Sequence, residues 1–144
     1  IMVQRPASDW LPAVANLGNR GDANGESSDP ADPVTISGAQ LRQLADQWAQ
    51  ALNIAPEQRT SNLTLNQPYK GAYETVFFGQ RLASLQSRGS GVIQVEFLRE
   101  YLLGSEELAV LQSPGQHWPD ANQLVLARLA QALAQAGDRL RYKL

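Results

Sequence analysis

Apolar positions along the chain repeat with two different periods. After Ser37, the residues Leu41, Leu44, Ala45, Trp48 and Leu52 recur at steps of three and four, which marks a helix with one buried face. Ser37-Gly38-Ala39-Gln40 ahead of them is a capping box. The serine hydroxyl takes the amide three residues on, and the glutamine side chain returns to the amide of the cap. Ile36 and Leu41 flank it as a hydrophobic staple, so a helix over 37–52 is predicted, with Trp48 as its anchor. A second helix is predicted from Tyr69, Ala72, Tyr73, Val76, Phe77, Leu82, Ala83 and Leu85, stopping at Arg88-Gly89-Ser90-Gly91. Gly71 and Gly79 oppose it by about 1 kcal/mol each against alanine. An irregular first turn or an extended 73–78 is therefore the competing reading. A third helix follows Asp120 and Gln123, a second capping-box pair, through Leu124, Val125, Leu126, Leu129, Ala130 and Leu133, with Gly137 as its expected left-handed stop.

Between the helices the period drops to two. Leu63 and Leu65 point one way around Thr64. Ile93, Val95 and Phe97 alternate with Gln94, Glu96 and Leu98. Leu98, Tyr101 and Leu102 also fit a helical period, so 93–103 is readable as strand or helix. Leu108 and Val110 predict a short strand in 107–112. The last six residues, 139–144, alternate throughout, with Leu140, Tyr142 and Leu144 on one side and Arg139, Arg141 and Lys143 on the other. Taken together, 62–144 reads as βαββαβ. The fold class expected is α+β, a ferredoxin-like antiparallel sheet of four strands with two helices on one face, preceded by an extra N-terminal helix. Its domain would be 36–144. Residues 1–35 would be an N-terminal extension holding a short strand at 1–3, a helix from Ser8 to about Leu17, and a flexible loop over 16–33, where Gly, Asn, Asp, Ser and Pro dominate.

A length of 144 residues suits one domain with its own core. The net charge of −2 demands neither nucleic acid nor a membrane, and the acidity sits in front, with four basic and seven acidic side chains in 1–60 against eight and seven in 61–144. No apolar run reaches the roughly 18 residues of a spanning helix, so no direct membrane insertion by this segment is expected. Its first residue, Ile1, reads as the edge of a piece processed from something longer, where an upstream anchor or export signal would sit. Without cysteine there are no disulfides, thiolate metal sites or cysteine nucleophiles. The lone His117 excludes a multi-histidine metal centre, and with no Gly-x-Ser-x-Gly elbow it leaves only a small enzyme built on His117 and a carboxylate. Glu96 with Glu100, or Glu106 with Glu107, has the residue types for acid–base work or a hard cation, although Arg99 stands among the first pair as counter-charge. Arg20-Gly21-Asp22 matches an adhesion tripeptide by chance composition, and Asn62-Leu63-Thr64 a glycan acceptor. No catalytic set, cofactor site or metal site is expected.

The strand over 63–70, the helix containing Leu82-Ala83-Ser84-Leu85-Gln86 and the strand Val92-Ile93-Gln94-Val95 resemble the periplasmic ferredoxin-like domains of assembly-platform proteins in bacterial type II secretion and type IV pilus machines. The resemblance implies a bacterial envelope component, periplasmic or cytoplasmic and anchored through an upstream segment. The missing catalytic set, the aromatic-rich helix faces and a strand at the very terminus, open to augmentation, make the expected function a non-enzymatic interaction or assembly domain that meets a protein partner or its own copy. Candidate contacts are Trp48, Tyr73, Phe77, Arg139, Arg141 and Lys143. The cationic row also suits edge protection, and Trp48 suits packing on the domain's own sheet. The alternative is a regulatory domain that binds a small ligand in a pocket between the sheet and the 37–52 helix.

Overall fold

The computed structural model describes residues 14–83, 91–98, 102–115 and 118–141. Among them the elements run β1 (Ala15–Gly18), α1 (Gly38–Ala51), a 3-10 turn (Pro56–Gln58), α2 (Arg59–Asn62), β2 (Leu63–Leu65), α3 (Tyr73–Leu82), β3 (Gln94–Phe97), α4 (Ser105–Gln112) and α5 (Gln123–Arg141). The sheet has three strands in the order β2-β1-β3. β1 is parallel to β2, with Ala15, Asn16 and Leu17 opposite Leu63, Thr64 and Leu65. It is antiparallel to β3, with Ala15 opposite Phe97 and Gly18 opposite Gln94. A parallel pair needs a crossover, and α1 supplies it.

This mixed three-stranded sheet replaces the expected ferredoxin-like one. The central strand comes from the segment read as a loop, because Ala15-Asn16-Leu17-Gly18 is too short to show a period. The helix expected up to Leu17 gives way to that strand, and its first residues lie outside those described. The 107–112 stretch is helix α4, not a strand. Glu106 and Glu107 in its first turn suit the positive end of a helix. Through Arg141 the C-terminal segment continues α5 instead of forming an edge strand. Gly137 does not stop that helix; a Cβ there would meet nothing, so the glycine costs only its propensity. Residues 94–97 are strand, and α3 starts at Tyr73, after the irregular stretch that Gly71 makes at φ +99°.

α1 forms as its sequence requires. Ser37 and Gln40 make both bonds of the capping box. Asn53 beyond its end sits at φ 55°, and the Ile54 amide returns to the Ala49 carbonyl, the closure expected of a left-handed C-terminal residue. Alternate strand residues then sort onto two faces. Ala15, Leu17, Leu63, Leu65, Val95 and Phe97 join the core with Leu41 and Ala45 of α1 and Leu52 just beyond it, and the Trp48 ring centroid lies 5.7 Å from that of Phe97. Ala132 and Ala136 of α5 belong to the same core. The other sheet face carries Asn16, Thr64, Gln94 and Glu96.

Candidate functional site

Because β1 and β2 are parallel and β3 runs against them, the ends at Gly18 and Leu65 and the start at Gln94 lie together. Ligands of parallel sheets commonly sit beyond such carboxyl ends, where the following loops part. The chain segment after β2 crosses directly over β1 here. A Cβ on Gly18 would stand 2.7 Å from the carbonyl carbon and oxygen of Lys70, so the close approach demands glycine.

Two asparagines fix the loops. Asn19 is fully buried, donates from Nδ2 to the carbonyls of Gly25 (2.9 Å) and Ile36 (2.8 Å), and accepts at Oδ1 from Gly21 N (3.0 Å) and Asn66 Nδ2 (2.8 Å). Asn66 returns its Oδ1 to the Asn19 amide at 2.9 Å and donates to the Asp22 carbonyl at 2.7 Å. It holds φ 55°, a conformation that asparagine tolerates. Arg20, at φ 77°, clasps Asp32 through Nε (3.1 Å) and Nη2 (2.6 Å) and reaches the Gly71 carbonyl at 2.7 Å. The amides of Glu26 and Asn24 bind Asp22 Oδ1 and hold its carboxyl below the usual carboxylate range. The Arg-Gly-Asp tripeptide is thus spent on the protein's own loop.

On the polar sheet face, Asn16 has Thr64 opposite it on one side and Glu96 on the other. Only 5% of Asn16 and 8% of Glu96 is exposed. Asn16 Nδ2 donates to the Gln67 carbonyl (2.7 Å) and Thr64 Oγ1 (3.1 Å). Gln94 Oε1 accepts from the Ala72 amide at 3.0 Å and from Thr75 Oγ1 at 3.3 Å, which points Gln94 Nε2 at Glu96 Oε1, its partner. Among the described residues no lysine, arginine or histidine pairs with Glu96. A buried carboxylate normally has such a partner.

Of the residues expected from the sequence, Tyr73 and Phe77 come together on α3, their rings 5.7 Å apart, with Phe78 edge-on to Phe77 and Arg81 over it at 4.4 Å. Tyr73 is 74% and Phe78 51% exposed. Trp48 lies against β3, the domain's own sheet. The backbone at Arg139 and Arg141 is helical, which removes the strand that was to align them with Lys143. Their side chains, together with Lys143, His117 and Glu100, lie outside the described residues. The space between the sheet and α1, expected as a pocket, is filled by Leu41, Ala45 and Trp48. A cavity of about 590 Å³ opens instead beyond the end of α1, between Leu52, Leu103, Arg128 and Leu129, and one of about 220 Å³ lies between Pro33, Thr35 and α3.

The sequence offered Glu96 as half of a pair with Glu100; that its own strand neighbour Gln94 orients it, and that Asn16 faces it, needed the pairing of β1 with β3. The one visible signal was polar residues at 94 and 96 alternating with apolar ones. Among the described residues no group of three or more His, Asp or Glu is placed to hold a metal ion, and no helix is long and apolar enough to cross a membrane. No protein-family model, curated protein or solved structure matches the chain.

Proposed function

We propose that this chain binds a small polar molecule on the polar face of its sheet, with Glu96 as the ionisable contact. The observation that carries this reading is Glu96 itself: a buried carboxylate, oriented by Gln94 and free of a cationic partner among the described residues. A buried carboxylate among convergent polar groups and without a counter-charge is suited to fixing a ligand's orientation. Glu96 has the chemistry of a hydrogen-bond acceptor or of a general acid–base group.

Thermal-shift screening with amines, amino acids, sugars and nucleotides tests the proposal. A ligand at 100 times its Kd adds about 2.7 kcal/mol of stability, a rise of roughly 5–10 °C for a chain of this size. That rise should disappear in Glu96→Gln. If every hit keeps its full shift in Glu96→Gln and Gln94→Ala, the polar face is not the site.

A second reading, association with another copy of the chain, is favoured by the face of α3 where exposed Tyr73 and Phe78 flank half-buried Phe77. Exposed aromatic clusters of this kind recur at interaction surfaces. Sedimentation equilibrium would show self-association weakened in Phe78→Ser; a wild-type chain that is monomeric at all concentrations rules this reading out.

A further inference from the structure

We infer that the polar face receives its ligand through a cationic N–H donor, an ammonium or amidinium group, held between the Glu96 carboxylate and Asn16 Oδ1. This rests on the reading of that face as a ligand site and adds the class of ligand. The orientation of the Asn16 amide is fixed by its neighbours. Nδ2 donates to the Gln67 carbonyl at 2.7 Å, to Thr64 Oγ1 at 3.1 Å and to the Thr64 carbonyl at 3.4 Å. Turning the amide over would set Oδ1 against two carbonyl oxygens, so Oδ1 is the atom directed away from β2. It is buried and, among the described residues, has no hydrogen-bond partner.

On its far side from β2 stands Glu96, opposite Asn16 in the β1–β3 pairing. Side chains opposite one another in an antiparallel pair have Cβ atoms about 4.5–5.5 Å apart. The orientation of Gln94 is fixed as well, since its Oε1 already accepts two donors, and its Nε2 meets Glu96 Oε1. That leaves Asn16 Oδ1 as a buried acceptor without a donor among the described residues, with the Glu96 carboxylate opposite it on the same sheet face. Each buried acceptor without a donor costs about 1–3 kcal/mol. An anion would be repelled by the carboxylate. A hydroxyl brings one donor and no charge. An ammonium or amidinium brings at least two N–H groups and the positive charge that the carboxylate lacks. Arg20, a cation of these loops, is already held by Asp32 and the Gly71 carbonyl.

The test uses NMR of the whole chain titrated with four small probes: methylammonium, acetamidinium, acetate and acetamide. The two cations should shift the Asn16 side-chain amide and the Glu96 backbone amide saturably, and acetate and acetamide should not. In Glu96→Gln the cations should bind at least about tenfold more weakly, a loss of 1.4 kcal/mol or more. Glu96→Gln keeps the side-chain shape and can donate to Asn16 Oδ1, so it should melt no lower than the wild type, which separates lost binding from lost folding. Saturable binding of acetate or acetamide in place of the cations overturns the ligand class and leaves the site standing. If no probe shifts these resonances, the ligand class and the site reading fall together.

Discussion

Asn19 and Asn66 do for the loops what a small core does elsewhere. Asn66 joins the loop to Asn19 and Asp22 across more than forty positions, Asn19 reaches on to Gly25 and Ile36, and the Asn19 amide group is saturated on all sides. Removing it would leave the carbonyls of Gly25 and Ile36 and the amide of Gly21 without their partners in a buried setting. Asn19→Ala is therefore expected to destabilise the fold by about 3 kcal/mol, since each stranded group counts for roughly 1–3 kcal/mol and relaxation recovers part of it. A urea melt would read this as a lower midpoint with an unchanged slope. Asn19→Asp keeps the acceptor and loses both donors, so it should fall in the same range. A loss below 0.5 kcal/mol for Asn19→Ala would mean that the network is ornamental.

At the level of elements, Asn122 matters most among the caps. Its Oδ1 accepts the amides of Leu124 and Val125, both at 3.1 Å, while its Nδ2 meets both oxygens of Glu107 at 3.0 and 3.1 Å. One side chain thus caps α5 and ties it to α4. Asn122→Ala should cost about 1–2 kcal/mol, and Asn122→Asp should keep the cap and lose the tie, as amide hydrogen exchange in α4 would show. The sequence pointed to the cap two residues early, at Asp120, because the serine-or-aspartate and glutamine spacing was satisfied there too. It was fully legible at Ser37, where the box and the apolar stripe agree. The stretch from Arg139 to Arg141 was not. Residues 139–144 alternate like a strand, but a 19-residue helix carries through Gly137 as far as Arg141, and short local alternation does not compete with propagation. Nor could β1 be read, since two of its four residues face a polar layer and one is glycine. The candidate site shares that reason: Asn16, Gln94 and Glu96 look like surface positions until β1 is set between β2 and β3.

For the molecule as a whole, two carboxylates link stability to acid. Asp22 is held below its ordinary range by the backbone amides of Glu26 and Asn24, and Glu107 by the Asn122 amide. A carboxyl whose folded pKa lies below its unfolded one stabilises the fold above the unfolded value, about 3.9 for Asp and 4.3 for Glu. That stabilisation is lost as pH falls through the folded values. Stability should accordingly be flat in this respect from pH 7 to about 5 and decline below about 4. In Glu107→Gln the decline should be shallower, measured as Tm against pH. An equally steep decline in Asp22→Asn and Glu107→Gln would assign the acid sensitivity to other groups.

The strand at the middle of the sheet is the first of the three to leave the ribosome. Asn16 finds its neighbour Thr64 only 48 positions later, and β3 follows α3. Until then the nascent chain holds a strand with both edges open. Closing such long loops before any contact rewards them slows folding, so this small protein should assemble late, on the timescale of β-rich domains, after α1 has already formed.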